Sequence, residues 1–177
     1  GSPEYSADDT GLAVLAEVEF SPANQGAAEG GSRFLMLPVP LTLPVGAYTI
    51  VASGYGDQDL NGNAGIGGAV WTTCSSNGAI TFDGAGRVGY TPGTFPLTLD
   101  GGPANRYAAG TFKYSTAPAG LQRTACRVSS GQAGNQAYSG PLGMDFVVTK
   151  NVRVASLGVF DDGSNGIAPG YTLTSQL

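Results

Sequence analysis

Histidine is absent from this 177-residue chain and charge is scarce, with 8 Lys plus Arg against 13 Asp plus Glu. Without His, the commonest general base and the commonest transition-metal ligand are missing, and no Ser-His-Asp triad can form. A net charge of −5 leaves no basic surface to displace counterions from phosphates, so no nucleic-acid partner is expected. It leaves no polybasic patch for an anionic membrane either. No apolar run approaches the roughly 18 residues of a membrane span, so none is expected. Two cysteines without His cannot complete a zinc site, and their spacing is not that of a Cys-x-x-Cys redox pair. Helix-forming stretches are nearly absent. Most windows of a dozen residues carry a Gly or Pro, which costs about 1 to 3 kcal/mol inside a helix.

What is present is turn chemistry. The 29 glycines and 11 prolines punctuate short segments rich in Val, Ile, Thr, Tyr and Phe, the pattern of a turn-rich all-β protein. Alternation predicts strands at Leu12–Phe20, Arg33–Leu37, Ala47–Ser53, Ala69–Thr73, Ala79–Phe82, Phe95–Leu99 and Arg106–Tyr114. Met144–Thr149, Val152–Phe160 and Tyr171–Leu177 complete the set. About ten short strands imply an antiparallel two-sheet sandwich or jelly roll in one domain spanning residues 1–177. Pro38–Pro44 reads as an edge or crossing loop. Residues 116–134, small and polar, read as a linker-like loop inside the domain.

Cys74 and Cys126 both sit in polar, Gly/Ser-rich surroundings rather than inside apolar strands. They are expected to form one disulfide, which stabilises by roughly 4 kcal/mol in the chain-entropy model. That places the chain in an oxidising compartment, secreted or at the cell surface. No leader precedes the first strand, so the chain reads as a processed form.

Four stretches carry a family resemblance: GNQAYSGPLGMDF at 134–146, VRVASLGVFDDGSNG at 152–166, TIVASGYGDQDLNGNAG at 49–65 and LDGGPANRYAAGTF at 99–112. Together they resemble a secreted bacterial β-domain found in proteins with PEP-CTERM sorting tails. The resemblance implies an exported, surface-associated protein of a kind that mostly has no assigned activity. The order differs from the family, in which the GNQA segment opens the domain and RYAAGTF closes it. Reading Leu177 into Tyr5 restores a family-like hairpin, so the chain resembles a circular permutant, and the sorting tail is missing from it.

A cut inside a strand system leaves terminal strands whose backbone groups need partners. Leu12, Val14, Val18 and Phe20 at one end, and Tyr171, Leu173 and Leu177 at the other, are the expected assembly strands. They either pair within one molecule or join copies of the chain head-to-tail into a filament or matrix. The second outcome gives the leading expectation, a self-assembling extracellular structural subunit.

The alternative is a calcium- or carbohydrate-binding module. Asp57, Asp59 and Asn61, followed by Gly62, match the front of an EF-hand loop, but Gly68 stands where a bidentate Glu is needed. A looser Ca²⁺ site would use these residues. Asp161 and Asp162 mark a second acidic turn, whose paired carboxylates suit Ca²⁺ or an acid–base pair. The same residues also suit turns that bond their own backbone. Trp71, Tyr55, Tyr90 and Tyr107 are candidates for stacking on glycans, or equally for core packing. No other cofactor is expected.

Overall fold

The computed structural model describes residues 12–68, 70–75, 77–117 and 120–177. The Tyr5–Gly11 part of the expected junction lies outside these residues, as does Ala69 at the head of a predicted strand.

The fold is all-β. Two 3-10 turns, Ala64–Ile66 and Asp162–Ser164, are the only helical pieces among the described residues. A six-stranded antiparallel sheet is formed by β1 (Glu17–Phe20), β4 (Gly46–Ser53), β7 (Ile80–Val88), β8 (Thr98–Asp100), β13 (Leu142–Val148) and β15 (Leu173–Gln176). Its order is β1-β15-β4-β13-β7-β8. A five-stranded sheet, order β11-β10-β14-β3-β2, is formed by β2 (Ala27–Glu29), β3 (Ser32–Leu43), β10 (Gly110–Ser115), β11 (Arg123–Thr124) and β14 (Val152–Phe160). Two small ladders pair β5 (Gly62–Asn63) with β9 (Tyr107–Ala108), and β6 (Thr73–Cys74) with β12 (Cys126–Arg127).

The two large sheets face each other as a sandwich. Alternation in β4 and β13 turns Ile50, Ala52, Met144 and Phe146 inward against Phe112, Val154 and Leu157 of the opposite sheet, all buried. Phe146 is the hub. Its ring centroid lies 5.0 Å from Phe112, 5.4 Å from Phe82 and 5.8 Å from Tyr48. Rings at these separations add about 0.5 to 1.5 kcal/mol each beyond area burial.

The expected sandwich stands, with its strand ends redrawn. Arg106–Tyr114 is not one strand. It divides at Ala109, whose carbonyl accepts from the Phe160 amide at 2.7 Å and from the Tyr55 hydroxyl at 2.9 Å. Of the two readings of Pro38–Pro44, the edge holds up to Leu43 and the crossing loop does not: β3 runs through it, with no strand neighbour on its far side there among the described residues. Leu41 pairs with Val154 and Met36 with Ser156, so Leu37, Pro38, Val39 and Pro40 bulge opposite Ala155 alone. The bulge absorbs two residues that lack an N–H. Residues 116–134, read as linker-like, carry β11 and β12. Ala125, Cys126 and Val128 there are buried.

The disulfide is formed. Cys74 and Cys126 are direct partners in the β6–β12 ladder, with Cα atoms 4.0 Å apart. It fastens the 116–134 segment to the body, and no free cysteine remains.

Candidate functional site

Both terminal strands are paired within the chain. Glu17 lies opposite Gln176, Val18 opposite Ser175, Glu19 opposite Thr174 and Phe20 opposite Leu173. β15 is interior to the sheet, held by β1 on one side and β4 on the other. Accordingly Leu173, Ser175 and Leu177 are buried, while Tyr171 just before them is half-buried. β1 is outermost. Ala16 and Leu177 exchange both backbone bonds, at 3.1 and 2.9 Å. The antiparallel alternation then turns the amides of Val18 and Phe20 toward β15 and those of Glu17 and Glu19 away from the sheet.

The predicted strand at Leu12–Phe20 is shorter than expected. Residues 12–16 precede β1, and Leu12 and Val14 are 48% and 59% exposed rather than on an inward face. They line a groove of about 490 Å³ together with Leu15, Tyr48, Phe95 and Leu177. Beside it, on the outer face of the six-stranded sheet, Arg87 and Asp145 form a buried ion pair. Arg87 Nε lies 2.7 Å from both carboxylate oxygens. Thr49 donates to the same carboxylate at 2.6 Å, and the Phe95 ring lies 5.3 Å from the guanidinium carbon.

The acidic turns meet at one end of the sandwich, where the loops 54–66, 129–139 and 160–170 come together. Asp162 ties two of them to its own, accepting from the Leu60 amide at 3.3 Å and the Gly134 amide at 2.7 Å. Asp161 accepts from the Gly166 amide at 2.9 Å and from Arg33 Nε at 2.7 Å. Asp59 accepts from the Ala168 amide at 2.7 Å through Oδ2. Its Oδ1 is buried with no hydrogen-bond partner, and so is Asn61 Oδ1. Burial, chiefly, raises the pKa of Asp59. The bond from Ala168 opposes the rise, and the charges of Asp161 and Asp162 add to it.

Asn61 is seated by residues that sequence reasoning did not single out. Its side-chain amide donates to Gln136 Oε1 at 2.9 Å, which also accepts from Asn63 Nδ2 at 2.9 Å. The Asn63 amide donates to Asn135 Oδ1 at 2.7 Å, and Asn63 Oδ1 accepts from Arg106 Nε at 2.8 Å. Glycine is required where these loops pack. At Gly166 φ is +94°, and an added Cβ would lie 2.4 Å from Gln25 Oε1.

Of the expected metal ligands, then, Asp59, Asn61, Asp161 and Asp162 gather at this end. Asp57 stays exposed on the rim, bonded by the Tyr171 hydroxyl. Among the described residues, no three carboxylate, thiolate or imidazole groups converge as a metal-holding set. The aromatic candidates separate cleanly. Tyr55 and Tyr107 are buried, Tyr55 bridging the Ala109 carbonyl and the Phe160 amide, while Trp71 and Tyr90 are exposed. Burial pushes both buried phenols to higher pKa, with the hydrogen bond to Asp100 adding to the rise at Tyr107.

No protein-family model, curated protein or solved structure matches the chain. Among the described residues no helix is long and apolar enough to cross a membrane.

Proposed function

We propose that the chain is a non-catalytic, extracellular structural subunit that joins copies of itself along the open edge of the six-stranded sheet. The observation that carries this reading is the position of β1. Among the described residues it is outermost, it turns the Glu17 and Glu19 amides away from the sheet, and residues 12–15 just before it line an apolar groove. An edge of that kind is a template for a further strand. The disulfide supports an oxidising compartment. The permuted family resemblance supports an exported protein. The non-catalytic reading is supported by the carboxylates at the loop end, whose bonds go to backbone amides and Arg33.

The junction is narrower than the two whole terminal segments. β15 is buried between two neighbours, so removing Tyr171–Leu177 would take out an interior strand and unfold the sheet. The discriminating variant is Glu19→Pro. It deletes an outward amide and leaves the bonds to β15 in place. Light scattering across a concentration series should show oligomers of the parent chain. Glu19→Pro should remain folded by circular dichroism and stay monomeric. A parent chain that is monomeric at high concentration overturns the reading.

A further inference from the structure

We propose that the loop cluster holding Asp59 binds a Ca²⁺ ion, with Asp59 Oδ1 and Asn61 Oδ1 as its side-chain ligands and Asp161 and Asp162 supplying the surrounding negative charge. Two independent observations meet here. The first is charge. Asp59 and Asp161 are each 1% exposed. Asp162 lies against them, bonded to the amide of Leu60 beside Asp59. Three carboxylates thus meet at this end of the sandwich without converging on one point, and the guanidinium bonded there, Arg33, is bound to Asp161. Buried charge of one sign is costly unless a counter-charge sits with it.

The second observation is the pair of orphaned acceptors. Asp59 Oδ1 and Asn61 Oδ1 are both buried, two residues apart in sequence, and neither has a donor. Buried oxygens without donors are rare, because each forfeits its hydration. A hard cation satisfies both oxygens and the excess charge at once. Every side-chain donor in the set is oxygen, which suits Ca²⁺ and not a thiolate- or imidazole-seeking metal. Ca²⁺ takes about six to eight oxygens in flexible geometry, so two side chains, loop carbonyls and water can complete it without a third carboxylate. The carboxylates already pin loops 54–66, 129–139 and 160–170 together, so the ion would lock that end of the sandwich.

The test uses the whole chain and two probes. Tb³⁺ alone, excited through tyrosine, should give sensitised emission, because the buried Tyr55 phenol feels the charge of Asp59. Millimolar Ca²⁺ should displace it. In parallel, thermal unfolding should shift up by about 3–5 °C at ten times the Ca²⁺ dissociation constant. Asp59→Asn should lose both effects, and Asn61→Ala should weaken Ca²⁺ by about ten-fold or more. No Ca²⁺-displaceable emission from the parent chain overturns the proposal. So does a Ca²⁺ shift that is equal in the parent and in either folded variant. Neither readout depends on oligomer formation, so this result and the self-assembly result stand or fall separately.

Discussion

The chain buries carboxylates in two places and treats them differently. On the outer face of the six-stranded sheet, Asp145 is matched one-to-one. Arg87 Nε spans both its oxygens, Thr49 adds a second donor, and Phe95 lies over the guanidinium. At the loop end, Arg33 bonds Asp161, and the carboxylates of Asp59, Asp161 and Asp162 otherwise rely on the amides of Leu60, Gly134, Gly166 and Ala168. Asp145 and Asp59 are both 1% exposed. Burial alone therefore does not say whether a carboxylate holds a structure together. What decides is whether its charge is answered and each oxygen has a donor.

That contrast is open to attack at four positions. The largest effect is expected at Asp145→Ala, which strands Arg87 inside the protein. A loss of about 3–5 kcal/mol in urea denaturation is expected, and a loss below about 1 kcal/mol would break the comparison. Next comes Arg33→Gln, which strips the loop cluster of its guanidinium. It should cost about 2–3 kcal/mol, and millimolar Ca²⁺ should restore more of the loss than it does for Asp145→Ala. Third is Asp59→Asn in calcium-free buffer. The substitution keeps an oxygen for the Ala168 amide and removes a charge that burial disfavours. It should be neutral or stabilising by up to about 1 kcal/mol. Asp145→Asn, at the same burial, should destabilise, so equal signs at the two sites would refute the contrast.

The smallest effect belongs to an exposed pair that belongs to neither class. Lys113 Nζ lies 2.5 Å from Glu29, whose side chain is 51% exposed. Glu29→Gln should cost under about 1 kcal/mol. Lys113 holds the Glu29 pKa below its ordinary value of 4.5. The folded state therefore favours the carboxylate. Its contribution is present above pH 4.5 and is lost as pH falls through the lowered folded value. Parent and Glu29→Gln stability curves should converge in acid and separate toward neutral pH.

The fold class was legible because alternation and Gly/Pro punctuation are local signals, and the strands they mark carry most of the sandwich. The strand ends were not. β5, β6, β9, β11 and β12 are two residues long, too short for any period to show, and exist because a partner is brought alongside. Pro38 and Pro40 argued locally for an edge or a loop; the stretch is an edge, and a bulge in β3 accommodates the prolines. In Leu12–Phe20 the alternation holds for Val18 and Phe20 and fails for Leu12 and Val14, which lie outside the ladder. The disulfide was readable from the polar setting of its cysteines. The D-x-D-x-N-G pattern pointed to the loop end, yet nothing local shows Asp161 and Asp162 folding onto it from a hundred residues away. Gln136 and Asn135 were hidden for the same reason. Arg87 and Asp145 were missed, although a lone Asp inside the apolar run LGMDFVV was the available signal.

The bulge of β3 has a consequence for growth. Beyond Phe34, β3 has no strand neighbour on its far side among the described residues. The bulged stretch there carries Pro38 and Pro40, which have no amide to offer an incoming chain. Val39 between them is 78% exposed, yet a foreign strand cannot zip along its flanks. On that side of the molecule the two prolines thus shield the bulged stretch of β3 from strand addition, and the row of outward amides is the one that β1 carries.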